Sequence, residues 1–346
     1  MTTVDKPVLF GRKPAELLEI TTMLGLPGYV AKQLAAWLYQ KDITSFNGMT
    51  DLSKKTREVL AEAYDMGLTP PSKVVLSRDG TRKYLFPVSG GRYVESALIP
   101  DGRRASLCLS TQVGCRMGCV FCMTGRQGFQ GNLSAGEILN QVRSLPERNS
   151  LTNIIYMGMG EPLDNLEAVL ASLEILTSAR GFGMSHQRVT VSTVGIVPAM
   201  KEFFEKSDCH LAVSLHSPVE EERRKLMPVE HAYPLREVIK TIREAGLPRQ
   251  RRVSFEYIMF RGLNDTPAHI REIVRLLSGL RCRVNLIRFH PIPGSALMPS
   301  EAKTMEKFMI GLNEKGIRTT VRKSRGEDIQ AACGLLSTGE NVPAKR

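Results

Sequence analysis

The sequence predicts an α/β fold, an open six-stranded (β/α) barrel placed behind a small helical module and a β-meander. Three observations predict it. From Ala105 onward, short β-rich runs alternate with helical stretches, the pattern of a parallel sheet. Six main strands are counted in that region, fewer than a closed eight-stranded barrel needs. The segments with chemical character also fall just after strand ends, where barrel enzymes place their functional loops.

Residues 1–70 read as a helical accessory module. Val30, Leu34, Trp37 and Leu38 recur at i, i+4, i+7 and i+8, one face of an amphipathic helix. Gly25-Leu26-Pro27-Gly28 and Asn47-Gly48 break the segment into short helices, and Ser53 is a candidate cap for a further one over 52–66. Residues 71–104 form the β-meander, with strands at 73–77, 83–88 and 92–99 separated by Asp79-Gly80 and Gly90-Gly91. A four-residue loop at 100–103 then leads into 105–110 and places Glu95 directly opposite Cys108.

The core spans 105–336. Ser134-Ala135-Gly136-Glu137 is a capping box that opens its first long helix. Later strands are expected at 153–157, 188–192, 211–215, 253–259 and 283–287, with helices between them. A last helix at 301–314 leads to a strand at 318–322, and 337–346 reads as a flexible tail.

Lys and Arg number 47 against 35 Asp and Glu, a net charge of +12, which suits a polyanionic partner, nucleic acid before membrane. Seven cysteines, with four between Cys108 and Cys122, do not form a secreted disulfide framework. The first residues lack an apolar signal segment, and no run is long enough to span a membrane. The expectation is a cytoplasmic protein that keeps its thiols reduced.

Chemistry concentrates in Cys115-Arg116-Met117-Gly118-Cys119-Val120-Phe121-Cys122. Three thiolates at C-x3-C-x2-C can hold three irons of a 4Fe–4S cluster and leave the fourth iron open. Gly114 and Gly118 let the loop turn tightly, and Phe121 supplies an apolar wall. A zinc site completed by Cys108 or a distant histidine, and a Cys119–Cys122 redox pair, are the plainer readings. Arg223-Arg224-Lys225, Arg249-Gln250-Arg251-Arg252 and Arg322-Lys323 are candidates for phosphate contact. Arg322, Lys323 and Arg325 can instead lower a thiol pKa.

The three cysteines, with an aromatic just before the last, resemble the signature of the radical S-adenosylmethionine (SAM) superfamily. Gly158-Met159-Gly160-Glu161-Pro162-Leu163, Ser214-Leu215-His216 and the tail from Arg325 to Gly334 narrow the resemblance to the RlmN family. That family methylates adenosine C2 in 23S rRNA and in tRNA, at the adenosine 3′ of the anticodon. The resemblance implies a partial barrel of the radical SAM type. Cys115, Cys119 and Cys122 then hold a 4Fe–4S cluster, and Gly160, Glu161, Ser192, Ser214, Leu215, His216 and His290 hold SAM. Position 290 departs from the family pattern, which more often has Asn there.

Resemblance also implies the mechanism. One SAM methylates Cys333, and a second yields a radical that takes hydrogen from that methyl group. The resulting carbon radical adds to adenine, Glu95 removes the C2 proton, and Cys108 releases the product by forming a disulfide with Cys333. A flavodoxin-like electron donor and a monomeric enzyme complete the expectation. Methylation at C8, as in Cfr-like enzymes, is the near alternative; a non-catalytic zinc protein that binds RNA is the distant one.

Overall fold

A computed structural model describes residues 6–338; the rest of the expected tail lies outside the described residues. The N-terminal module is α1 (Pro14–Met23), α2 (Tyr29–Tyr39) and α3 (Lys54–Ala63). Val30, Leu34, Trp37 and Leu38 are all buried, as the spacing predicts. Ser53 Oγ accepts the Thr56 N–H at 3.1 Å, satisfying one of the orphan donors at the start of α3. The apolar faces of these helices join the same core as the barrel.

The meander is β1 (Lys73–Leu76), β2 (Arg82–Val88), β3 (Arg92–Asp101) and β4 (Arg104–Cys108), each antiparallel to its neighbour. The β3–β4 register corrects the expected pairing. Asp101 faces Arg104, so the loop is two residues long, and Cys108 faces Ala97 instead of Glu95. Gly102, at φ +58, supplies the positive-φ residue that such a short hairpin loop requires. The slip is two residues, an even number. Glu95 therefore stays on the Cys108 face, one step along the strand.

β4 is also the first strand of the barrel. The cysteine loop follows it, flanked by the small ladder of β5 (Gln112–Val113) with β6 (Gly131–Asn132), and holds α4 (Met123–Gln127). α5 (Ala135–Arg143) opens with the predicted box: Glu137 N–H donates to Ser134 Oγ at 3.2 Å, and Ser134 N–H donates to Glu137 Oε2 at 2.8 Å. Then come β7 (Asn153–Tyr156), α6 (Leu166–Thr177), β8 (Val189–Thr193), α7 (Val197–Lys206) and β9 (His210–Ser214). They are followed by α8 (Glu220–Leu226), α9 (Leu235–Glu244), β10 (Val253–Met259), α10 (Pro267–Leu277), β11 (Cys282–Arg288), α11 (Ala302–Glu314) and β12 (Thr319–Val321).

All ten strands of the main sheet lie in the order β1-β2-β3-β4-β7-β8-β9-β10-β11-β12. From β4 on every pairing is parallel, and the short β12 adds a last strand beyond the six main ones. Among the described residues no ladder joins β12 back to β4, so the barrel is open at that seam.

Arg143 ties the helical module to the barrel. It is buried, and its guanidinium donates to the carbonyls of Leu38, Lys41 and Ile43 at 3.0, 2.6 and 3.3 Å. Arg143→Leu orphans these acceptors, at roughly 1–3 kcal/mol for each that stays dry. Calorimetry is expected to show a lowered unfolding midpoint; an unchanged midpoint would mean that apolar packing alone docks the module.

Candidate active site

The strand ends place the cysteine loop, and the loop's neighbours fix its shape. Gly114 has φ +71, and a Cβ there would stand 1.7 Å from the Gly128 carbonyl oxygen, so only glycine fits. Arg116 pairs with Asp164 at 2.9 Å and lies over the Phe129 ring at 3.9 Å. Val120 N–H donates to the Leu226 carbonyl at 3.1 Å, binding the loop to the end of α8. Beneath it, Phe121, Val194, Ile258, Phe260 and Phe289 form an apolar layer separate from the main core.

Cys115 and Cys119 are buried, Cys122 is half-buried, and none forms a disulfide. Burial pushes the Cys115 thiol up to about 12 and raises Cys119 well above its ordinary value; the neighbouring sulfurs add to both shifts. Three thiols that feel one another on one tight loop match the donor set of a cluster held at three irons. Ligation by iron replaces their protons, so the burial cost falls on the metal-free chain. Among the described residues no three His, Cys, Asp or Glu side chains form a ready-made single-metal site. The fit thus rests on the loop's donors, not on a preformed metal geometry.

Of the residues implied to hold SAM, His216 packs on Phe121 of this loop, and His290 is the one that lines the barrel cavity with Cys122 among the described residues. Gly160, at φ +97, packs against Gln112, where a Cβ would meet the backbone nitrogen at 2.8 Å. Glu161 is buried, and its oxygens accept the N–H groups of Leu163 at 3.0 Å and Val194 at 2.9 Å. Burial outweighs these bonds and raises its carboxyl to about 7. Ser192 and Ser214 lie half-buried near the ends of adjacent strands, and no side-chain hydrogen bond ties either hydroxyl among the described residues. Leu215 is fully buried, with its N–H given to the Glu256 carbonyl at 2.9 Å.

His216 has φ +53, uncommon for a residue with a side chain, and is held from three directions. Its Nδ1 accepts the Ile258 N–H at 3.0 Å, its carbonyl accepts from Asn264 Nδ2 at 2.6 Å, and Phe121 meets its ring edge-on at 4.7 Å. An accepting Nδ1 places the imidazole proton on Nε2. Burial, with Arg223 adding to it, lowers the His216 pKa to about 3. His290 is buried between Ser324 Oγ at 3.3 Å and Glu327 Oε1 at 3.6 Å.

Cys333, remote in sequence, is brought to the cysteine loop by hydrogen bonds to the carbonyls of its own segment. Met123 N–H donates to the Gly334 carbonyl at 2.8 Å, and Thr124 Oγ1 donates to the Leu336 carbonyl at 2.6 Å. Cys108, Cys122, His290 and Cys333 all line one cavity of about 610 Å³ in the barrel. Glu95 is not among its lining residues. Its carboxylate pairs with Lys83 at 2.9 Å and accepts the Ser337 N–H at 3.0 Å.

Two arginines expected to meet phosphate are buried instead. Arg223 has no exposed surface; it pairs with Glu230 and donates to the carbonyls of Val194, Ser214 and Leu215. Arg251 donates to the carbonyls of Phe203, Phe204 and Cys209. Each adjoins exposed basic residues, and charge alone carries no sign of which one turns inward. Glu256 and Met157, which also line the cavity, were missed. A lone acid in the otherwise mostly apolar strand Val253–Met259 was the available signal for Glu256.

Known proteins with this architecture settle the family. Residues 109–277 match the Radical SAM superfamily, and residues 9–65 match the Ribosomal RNA large subunit methyltransferase N-terminal domain. The chain is 53% identical to a probable dual-specificity RNA methyltransferase RlmN of Parabacteroides distasonis, covering 98% of this chain and 99% of that one. The chain belongs to the RlmN family. A dual-specificity RNA methyltransferase RlmN of Marinobacter nauticus is 40% identical, over 96% of this chain and 93% of its own. A radical SAM methyltransferase from Sphaerobacter thermophilus has the same fold, with a TM-score of 0.90, 39% identity, and coverage of 95% of this chain and 99% of its own. As a radical SAM methyltransferase of the RlmN family, the chain uses a 4Fe–4S cluster and SAM.

The His216 environment makes stability depend on pH. Below its ordinary pKa of 6.5 the unfolded chain binds a proton that the folded imidazole refuses until about pH 3. This contribution is complete above pH 6.5 and is lost as pH falls through that window. His216→Asn removes it, so thermal unfolding followed across the window is expected to show a shallower acid slope in the variant. Equal slopes would mean that the folded imidazole takes up its proton normally.

Proposed function

We propose that this enzyme methylates C2 of adenosine in 23S rRNA and in tRNA, using Cys333 as the methyl carrier. One observation carries the reading: Cys333 and Cys108 line the same cavity as Cys122 of the cluster loop. The relatives' names supply the substrate class, and the net charge of +12 suits it. Arg224, Lys225, Arg249, Arg252 and Lys323 remain exposed for phosphate contact.

Cys115, Cys119 and Cys122 hold the cluster, and Ser192, Ser214, Gly160, Glu161, Leu215, His216 and His290 surround SAM. When bound, these groups supply a methyl donor and a carbon radical able to take hydrogen, with SAM used twice per turnover. The chain's own residues do the rest. Cys333 accepts the methyl group and presents it to the base, which must leave its stack to reach the cavity. Glu95, freed from Ser337, takes the C2 proton, and the odd electron left by radical addition goes to a one-electron acceptor of the iron–sulfur class; the place of Glu95 on the Cys108 face supports its role. Cys108 then bonds to the Cys333 sulfur as the sulfur–carbon bond breaks, and the carbon takes up a proton to become the product methyl group. A flavodoxin-like protein supplies the electron to a monomeric, cytoplasmic enzyme.

Cys333→Ala is expected to abolish methylation while iron content and SAM binding persist; undiminished methylation in that variant would remove Cys333 from the mechanism. Cys108→Ala is expected to accumulate a covalent RNA–protein adduct, visible as a slow band on denaturing gels. Nucleoside mass spectrometry against C2 and C8 methyladenosine standards fixes the position, and a C8 product would refute the proposed one.

A further inference from the structure

The cavity shared by the two thiols is also lined by a side chain that the scheme above does not use. Arg322 follows β12, and its N–H donates to the Leu286 carbonyl at 2.8 Å, continuing the ladder with β11. Its side chain lines the same cavity as Cys108 and Cys333. Nη1 lies 3.5 Å from Glu256 Oε2 and 3.5 Å from Met157 Sδ. Met157 lies two residues past Ile155, the partner of Cys108 in the β4–β7 ladder. Side chains from β10 and the end of β7 therefore meet at one guanidinium, next to the last residue of β4.

Glu256 is built to hold that cation loosely. Its Oε1 is fixed by Asn285 Nδ2 at 2.8 Å and Ser254 Oγ at 3.1 Å. Among the described residues its Oε2 is buried without a hydrogen bond and has only the ion pair with Arg322. A single long contact leaves most of the guanidinium's donors free for another acceptor.

We propose that Arg322 is a positioning residue for the thiol pair: anchored by Glu256 in the cavity that both thiols line, it stabilises the Cys108 thiolate that closes the disulfide. The proposal deepens the reading in which Cys108 releases the product. Burial pushes the Cys108 thiol up to about 12; Cys333 pushes the same way, and Arg322 opposes them. Arg104, Arg252 and Arg283 also line the cavity, but among the described residues Arg322 is the one cation among the charges acting on Cys108. Arg325 pairs with Asp101, His290 lies between Ser324 and Glu327, and Lys83 pairs with Glu95 on the meander. Lys323 points to solvent.

The test reads Cys108 itself. Holoenzyme is kept anaerobic, without RNA or SAM, and treated with iodoacetamide across a pH series, with Cys108 labelling followed by peptide mass spectrometry. Arg322→Met is expected to slow Cys108 labelling about tenfold or more at each pH between about 7 and 9, because the thiolate fraction falls about tenfold per unit rise of the thiol pKa. Arg322→Lys keeps the charge and is expected to stay near the parent. Arg322→Gln serves as the neutral variant if Arg322→Met fails to fold, as judged by circular dichroism and iron content. A neutral variant that labels like the parent overturns the proposal. So does a lysine variant that follows the neutral one, because Arg322 would then act through shape alone. Methylation measured on the same parent sample separates the two ideas: an inactive parent sinks the reading above, whereas an active parent with an unchanged labelling rate in the neutral variant sinks only the role of Arg322.

Discussion

Arg223 is buried without any exposed surface, and four groups converge on it. It pairs with Glu230 and donates to the carbonyls of Val194, Ser214 and Leu215, so the ends of β8 and β9 share one anchor. Burying a guanidinium is costly unless it is paired and its donors are used, and here both conditions are met. Its helix, α8, also accepts Val120 of the cysteine loop through the Leu226 carbonyl. The left-handed backbone of His216 belongs to the same arrangement, held by Asn264 and Ile258 next to the fixed carbonyl of Leu215. Strain of this kind persists only where the surroundings over-determine it.

The barrel's interior is as informative as its rim. Barrel centres are ordinarily filled by branched apolar side chains. Here Ser254, Glu256, Asn285 and Thr320 form a hydrogen-bonded chain through the lumen, with Arg322 branching from it at Glu256. The apolar packing is displaced to the layer under the cysteine loop and to the outer helices. A polar, open lumen lets a thiol pair, a cation and a half-buried cluster ligand share one space. The segment carrying Cys333 closes over it, fixed on one side by Met123 and Thr124. On the other side it meets the meander, where Asp328 accepts from Ser77 Oγ at 2.5 Å and Asp79 accepts the Gly326 N–H at 2.9 Å.

Much of this was legible in the sequence. Strand–helix alternation gave the order of the sheet, the i, i+4, i+7 spacing gave the buried face of α2, and the capping box at Ser134 marked the start of α5. The cysteine loop announced itself by spacing. What escaped was tertiary. A hairpin whose register depends on one positive-φ glycine was misjudged by two residues, which moved Glu95 out of direct opposition to Cys108. Arg223 and Arg251 read as surface charge because a guanidinium turned inward looks the same in sequence as one turned out. Glu256 and Arg322 meet across strands far apart in the chain, and local patterns hold no record of that contact.

The central claim is that the methyl group travels on Cys333 and loses one hydrogen on the way. A single turnover with enzyme premethylated on Cys333 by trideuteromethyl SAM, with the RNA nucleosides then analysed by mass spectrometry, tests it most directly. The account predicts a methyladenosine whose methyl group keeps two deuterium atoms and gains one hydrogen. A product that retains all three deuterium atoms would show intact transfer and would contradict it.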